Sequence, residues 1–265
     1  MANTVFANKV IEAKAKDLLT TAVNTRSLMT VDNTLAAEAG MTKTINVYTY
    51  SGEAEELGVG EGNSARGSIS YAGVDYTVKM VQQAFDYADE DFMKDNTIVD
   101  NMLKGANQVM VNKMTADFIA EVNKATLVLD AVDDGYGDDG FGYGMIVDAI
   151  AKLNVEDESG IFIIVNPAHK AILRKDADYV AARMGEVVYN GQVGTIAGIP
   201  VIVSKAVTEP VVMTKEAVKL FMKKDVEVEQ DRDADTRTNS VYLRTAYICA
   251  LVDNTQICRL TGITV

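Results

Sequence analysis

The spacing of hydrophobic residues changes along the chain, and each change marks a predicted element. Apolar residues at helical spacing over 7–23 predict an amphipathic helix. From residue 42 the period falls to two, which is typical of a strand, and a second such run covers 68–81. Five glycines and four glutamates lie between the two runs. We expect an extended β-hairpin with a flexible tip, resting on other structure because an isolated two-stranded hairpin is marginal in water.

The longest helical pattern covers residues 89–125 and carries one apolar stripe. The stripe consists of Ile98, Met102, Ala106, Val109, Met110, Met114, Phe118 and Val122. A helix of about 28 residues within this segment would be roughly 42 Å long.

The rest of the chain mixes short helices with strands. The predicted helices cover 143–153 and 168–175, and the predicted strands cover 161–165, 193–203 (two strands around a tight turn), 218–230, 240–252 and 256–265. Helices and strands in this irregular order predict an α+β fold.

The composition excludes several classes of protein. With 25 Lys+Arg against 38 Asp+Glu, the 265-residue chain has a formal charge of −13. Neutralising phosphate needs an excess of basic residues, so a protein that coats DNA or binds anionic membranes is disfavoured. No apolar stretch reaches about 18 residues, and the first residues lack the apolar core of a signal peptide. We expect the chain to stay in a reducing cytoplasm, with no membrane partner.

Residues that commonly carry catalysis are few. The single histidine, His169, cannot build a multi-histidine zinc site, and no nucleophile elbow accompanies it. We predict that His169 lies on the surface at the start of a helix. Cys249 and Cys258 lack the C-x-x-C spacing and lie in apolar strands, which predicts free thiols that pack as small hydrophobic residues. The sequence predicts no enzyme, no cofactor and no metal site.

Two loops superficially resemble ligand-binding motifs. Gly58-Val-Gly-Glu-Gly62 departs from the G-x-G-x-x-G of dinucleotide loops, and no helix follows it to bind phosphate. Asp133, Asp134, Asp138 and Asp139 lack the residue order of an EF-hand. We expect a mobile hairpin tip and a solvated acidic loop, with weak adventitious binding of divalent cations as the alternative for the loop.

Charges of alternating sign mark the turn between the two long strands. They belong to Asp231, Arg232, Asp233, Asp235 and Arg237. Two interpretations stay open, a solvated turn or a set of ion pairs with another subunit. More generally, projecting arms that cannot bury their own apolar faces imply neighbours that cover them.

The order of these parts resembles the major capsid proteins of tailed bacteriophages with the Hong Kong 97-type fold, over nearly the whole chain. The segments that carry the resemblance are 89–124 (similar to the spine helix), 42–81 (the extended loop), 163–179 (the strand, Asn-Pro and helix of the axial domain), 194–204 (its Gly, Pro and apolar strand run) and 218–252 (the peripheral strand pair and return strand).

The resemblance implies a division of the chain into six parts. These are an N-terminal arm (1–41), an extended loop hairpin (42–86), a peripheral-domain spine helix (87–130), an axial domain (131–217), a peripheral-domain strand hairpin (218–244) and return strands to the axial domain (245–265).

The resemblance also implies a function and its partners. The subunit would form hexamers and pentamers that close an icosahedral shell around double-stranded DNA, in a virion assembled in the bacterial host cytoplasm. An acidic wall would let DNA slide, so contact with DNA should be weak and non-specific. A portal is expected. A separate scaffolding protein is expected too, unless the gene product is longer, because no long charged helical extension precedes the arm.

Some members of the family crosslink the subunits of their shells with an isopeptide bond between a loop lysine and an asparagine, and a glutamate assists the reaction. Asn239 stands where that asparagine would fall. No lysine occurs between Lys43 and Lys79, however, and Ala246 occupies the glutamate position. We predict that this chain forms no such crosslink.

Cohesion of the shell would then depend on burial and on ion pairs. The residues expected at contacts between subunits are Glu53, Glu55, Glu56, Glu61, Arg66, Asp231, Arg232, Asp233 and Arg237. The alternative function is the shell of an encapsulin-type nanocompartment, which shares the fold but encloses cargo enzymes. A soluble α+β enzyme is disfavoured because no catalytic constellation is visible.

Overall fold

The computed structural model describes residues 14–15, 28–37, 39–95, 97–136, 140–176 and 195–263. Most of the helix predicted over 7–23 lies outside these residues, although Lys14 and Ala15 are helical. Ala15 is fully buried, and Lys14 Nζ lies 2.8 Å from Asp100 Oδ1 on the longest helix.

A long β-hairpin lies near the start of the described chain. Strand β1 (Thr30–Asp32) precedes it, and β2 (Thr42–Ser51) pairs antiparallel with β3 (Ser68–Thr77) along their whole length. We call β2, β3 and the connecting residues 52–67 the arm. The predicted hairpin is confirmed, but the single strand predicted over 68–81 is wrong. The chain breaks at Val78, whose N–H donates to Met41 O, and continues as β4 (Lys79–Ala88) in another sheet.

The second sheet has four strands, which lie in the order β1, β10 (Val218–Asp233), β11 (Thr238–Leu251) and β4. Strands β10 and β11 form a hairpin slightly longer than predicted, and β4 pairs antiparallel with β11.

The segment predicted as helical over 89–125 contains two helices, α1 (Asp89–Lys94) and α2 (Ile98–Val122), and α2 is the long helix expected within it. At 25 residues, α2 is about 37 Å long. Its buried face packs on the four-stranded sheet, where Leu103, Met110 and Phe118 meet Leu243 and Tyr247 in one core. The buried face is rotated slightly from the predicted stripe, because Val109 is half exposed and Val99 and Leu103 are buried.

A third sheet has the order β5-β12-β9-β6-β8-β7. Its strands are β5 (Val128–Asp130), β6 (Ile161–Val165), β7 (Thr195–Ile196), β8 (Ile199–Val203), β9 (Val211–Thr214) and β12 (Ile257–Thr261). Helices α3 (Tyr143–Leu153) and α4 (Pro167–Lys175) belong to this part of the fold and share its core.

Local chemistry explains why several of these elements match the predictions closely. All five residues of β6 are buried, as an uninterrupted apolar run predicts. The side chain of Asn166 then accepts a hydrogen bond from the Ala168 N–H at 3.1 Å, and Pro167 takes the first helical position, where its missing N–H is harmless. Ala197 and Gly198 both have positive φ, which the tight turn between β7 and β8 requires.

Candidate assembly interface

The arm is held to the body of the protein at its root. Ile45, Tyr76 and Val78 pack with Phe221 and Ile248 of the four-stranded sheet. Farther out, Ile69 retains 65% of its accessible surface and Val59 is fully accessible. An exposed two-stranded ribbon with apolar side chains needs a further surface for its own stability. The distal arm is therefore the first candidate for contact with another subunit.

The tip of the arm is folded on itself by two of its glutamates. Glu55 accepts hydrogen bonds from the backbone N–H groups of Ser64 (2.8 Å) and Ala65 (3.0 Å), which hold the pKa of Glu55 below its usual value. Glu61 accepts from the N–H of Gly58 at 3.0 Å. Within the described residues, Glu53, Glu56 and Arg66 are exposed and make no hydrogen bond or ion pair. The same loop thus contains structural and unpartnered carboxylates.

The turn between β10 and β11 is docked on α1 of the same chain. Arg232 lies 2.8 Å from Asp89 Oδ2, Arg237 lies 2.9 Å from Glu90, and the Asn239 amide donates to Asp89 Oδ1 at 2.7 Å. The structure therefore brings both arginines against their own subunit. A role for them in contacts between subunits stays a prediction.

The aspartates of this turn shape the turn itself. Asp231 accepts from the N–H of Arg232, and Asp233 accepts from the N–H of Asp235. The bond from the Asp235 N–H holds the pKa of Asp233 below its usual value. Like Glu55 and Glu61, the two aspartates order the backbone of an exposed loop.

The root of the arm is fixed to α2 by one buried carboxylate that the sequence analysis missed. Asp117 is 4% exposed; its Oδ1 accepts from Lys79 Nζ (3.0 Å) and Lys113 Nζ (3.1 Å), and its Oδ2 accepts from the Tyr247 hydroxyl (2.8 Å). Burial raises the pKa of Asp117, but these three bonds together outweigh burial and hold the pKa below its usual value. The sequence signal for this buried carboxylate was the position of Asp117 beside the apolar stripe, four residues after Lys113.

A second set of contacts anchors the same root from β3. The Tyr76 hydroxyl donates to Leu251 O at 3.3 Å, and Lys124 Nζ lies 5.5 Å from the centre of the Tyr76 ring. Lys124 also lies 2.7 Å from the buried carboxylate of Glu121. Lys79 thus connects the chain after the break at Val78 to α2, and Tyr76 connects the chain before it to β11 and to Lys124, just beyond α2.

Comparison with known proteins decides the family of this chain. The model of the phage capsid protein family matches residues 71–260, from the arm to the last strand. The chain belongs to the phage capsid protein family. Its sequence is 24% identical over 242 residues to the major capsid protein of Staphylococcus phage phiMR11, covering 89% of this chain and 85% of the relative.

Solved structures share the fold of this capsid protein. A structure from Mycobacterium phage Che8 is 18% identical, with a TM-score of 0.66 and coverage of 91% of this chain and 92% of that one. The capsid of the native GTA particle is 12% identical, with a TM-score of 0.69 and coverage of 91% and 90%. A virus-like particle from Pyrococcus furiosus is 10% identical, with a TM-score of 0.64 and coverage of 97% and 100%. The fold is the Hong Kong 97-type capsid fold, and the α+β expectation is confirmed.

The cysteines of the capsid protein are free and buried, as predicted. Burial raises the pKa of Cys249 to about 12 and that of Cys258 to about 11, so both stay protonated at neutral pH. In the described part of the chain no group of three or more His, Cys, Asp or Glu side chains could hold a metal ion, and no helix is long and apolar enough to cross a membrane. Asp138 and Asp139 lie outside that part.

The predicted surface position of His169 is wrong. The residue is 2% exposed, and its ring meets Phe141 edge-on with ring centres 5.1 Å apart. Leu173, one helical turn further along α4, is also buried, so the inward face of the helix begins at His169. In the sequence, the apolar Leu173 four positions after His169 was the signal that could have predicted this burial. Nδ1 of His169 has no hydrogen-bond partner among the described residues, and burial lowers the pKa of His169.

This burial predicts an acid-sensitive subunit. Because the native pKa of His169 lies below its unfolded value of about 6.5, the unfolded chain binds more protons between the two values, and stability falls as the pH drops through that window. The slope should reach at most about 1.4 kcal/mol per pH unit. Urea unfolding of the unassembled subunit at pH 7.5, 6.5 and 5.5 measures it. His169 is the only histidine, so the variant His169→Phe should show a flatter profile; an equal slope in both proteins would contradict the assignment.

Proposed function

We propose that this capsid protein is the structural subunit of an icosahedral phage shell that assembles from hexamers and pentamers and encloses double-stranded DNA. The exposed arm is the observation that best supports this function. Among the described distal side chains, the apolar Val59 and Ile69 are exposed, while the root is fixed to the body of the protein through Asp117 on α2 and through the bond from Tyr76 to Leu251 on β11. A rigidly rooted arm with an uncovered distal half is suited to cover a neighbouring copy. Membership of the phage capsid family supports the same function.

We infer further partners from the expected function. Assembly in the host cytoplasm would use a separate scaffolding protein and a portal, and contact with the enclosed DNA would be weak because the chain carries a charge of −13. The family match and the similarity to the phiMR11 major capsid protein favour a phage shell over a nanocompartment that encloses enzymes.

The fold refines the proposed division of the chain. We propose that the extended loop ends at Thr77, since β4 pairs with β11 in the four-stranded sheet. That sheet and α2 would form the peripheral domain, and the six-stranded sheet with α3 and α4 would form the axial domain.

Electron microscopy of particles from phage-producing cells tests the function. We expect closed icosahedral shells made of this chain, with a portal vertex and nuclease-protected double-stranded DNA. Closed shells that contain a cargo enzyme and no DNA would support the nanocompartment instead. A protein that stays monomeric in the presence of all phage structural proteins would overturn both.

The structure also supports the prediction that no covalent crosslink forms. Asn239 donates its amide to Asp89, Lys79 contacts Asp117, and Ala246 is buried in the core under the arm root. We expect assembled shells, boiled in denaturant, to give one band at the mass of the monomer, 28.6 kDa. A ladder of covalent oligomers would contradict this, and the variant Asn239→Ala would then show whether Asn239 takes part.

A further inference from the structure

Helix α4 presents an uncompensated basic surface. Lys170, Arg174 and Lys175 lie on it, no acidic residue occurs between Asn166 and Lys175, and within the described residues none of the three cations forms an ion pair. The first acid after the helix, Asp176, accepts from the N–H of Tyr143 at 2.6 Å. In the described part of the chain many other basic side chains do form ion pairs, among them Lys14, Lys79, Lys94, Lys113, Lys124, Lys224, Arg232, Arg237, Arg244 and Arg259.

The stability of the helix does not explain this arrangement. Arg174 and Lys175 lie in the last turn, where the helix dipole favours cations, but Lys170 lies near the first turn, where the dipole disfavours them. Lys170 and Arg174 are also four residues apart, a spacing at which like charges repel. His169 and Leu173 face the core, so the basic residues are directed outward on a firmly packed helix. A further cation, the exposed Lys205, lies in the turn whose Val207 O accepts from the side chain of Asn166.

The arm tip offers the complementary charge. Glu53 and Glu56 are exposed and unpaired within the described residues, on a loop that Glu55 and Glu61 hold in shape. Six residues of β2, those after Ile45, separate the root from this loop, a reach of roughly 20 Å. The tip is thus carried well away from the residues that anchor the arm.

We propose that the acidic arm tip of one copy binds the basic face of α4, formed by Lys170, Arg174 and Lys175, on an adjacent copy. This rests on the proposed function as a shell subunit and names the surface on which the arm lands. Because every copy supplies one acidic tip and one basic helix face, an assembly of identical copies contains equal numbers of the two surfaces. DNA phosphate would also complement α4, but the overall charge of −13 opposes its approach.

Charge exchange tests the contact. The tip variant Glu53→Lys/Glu56→Lys and the helix variant Lys170→Glu/Arg174→Glu should each reduce the yield of shells at least about tenfold, because like charges then face each other. Combining all four substitutions should restore most of the yield. The control Lys104→Glu/Lys215→Glu makes the same change of charge at two exposed lysines elsewhere that are unpaired within the described residues, and it should assemble like the wild type. Circular dichroism of the subunits checks folding, and the neutral variant Lys170→Gln/Arg174→Gln should show a smaller loss of yield.

The outcomes separate the contact from the function. A helix variant that assembles like the control would overturn the contact, as would a fourfold variant no better than the single-surface variants. A helix variant with a normal yield of shells but less nuclease-protected DNA would overturn it in favour of DNA. Wild-type protein that forms no shells would overturn the proposed function instead.

Discussion

Replacing Asp117 with alanine is expected to lower the free energy of unfolding of the subunit by about 2 to 3 kcal/mol. The substitution leaves the Tyr247 hydroxyl without its acceptor in the core and places the ammonium groups of Lys79 and Lys113 close together with no anion between them. Both lysines are about half exposed and can turn into water, which keeps the loss below that of a fully buried pair. Urea unfolding of the unassembled subunit measures the change.

The same helix provides a matched control for this experiment. Asp100 pairs with Lys14 at 2.8 Å, but both side chains are about half exposed, so Asp100→Ala should cost less than about 1 kcal/mol. Equal losses for the two variants would show that the burial of Asp117 has no special effect. The contribution of Asp117 should also depend on pH. Because its native pKa is lowered, the stabilisation is present above the usual aspartate pKa of about 4 and is lost as the pH falls through the native value.

Shortening the arm is expected to abolish shells while leaving a folded subunit. Asn46 pairs with Gly73 across the arm, so deleting residues 47–72 joins them directly as Asn-Gly, the pair that two-residue hairpin turns prefer. The root contacts of Ile45, Tyr76 and Val78 are retained. We expect a cooperative thermal transition close to that of the wild type and no shells in electron micrographs.

A full-length variant separates the surface of the arm from its length. Ile69→Ser removes an exposed apolar side chain from the distal arm and leaves the strand pairing intact, so the subunit should fold normally and give fewer shells. Shells of normal number from the shortened protein would show that the arm is dispensable for assembly.

Sequence periodicity predicted the elements that bury one continuous face. Helix α3 has the bounds that were predicted, and β6 does too, because a complete apolar stripe or run has only one way to be buried. The short strands β1, β5 and β9 were missed, since three or four residues carry no measurable period and their pairing partners are distant in the chain. The break at Val78 was missed for a related reason: both sides of it are strand, and only the partner strand changes.

The candidate interface was predictable in part. Composition located the charged loops, but it could not distinguish a carboxylate that orders its own loop, such as Glu55, from one that stays unpaired, such as Glu53. Nor could it show that Arg232 and Arg237 contact α1, because that contact joins residues more than 140 positions apart. The burial of His169 and of Asp117 depends in the same way on tertiary packing.

The internal hydrogen bonds of the exposed loops bear on how accurately copies can join. Glu55, Glu61, Asp231 and Asp233 order their loops within the single subunit, so little conformational entropy is lost when two copies meet. Each contact between copies can then be weak and still contribute to the stability of the assembled shell. Weak contacts dissociate quickly, and a subunit that joins at the wrong angle leaves before the next one arrives. Order within the free subunit thus favours reversible growth, in which mistakes are erased while the particle is still small.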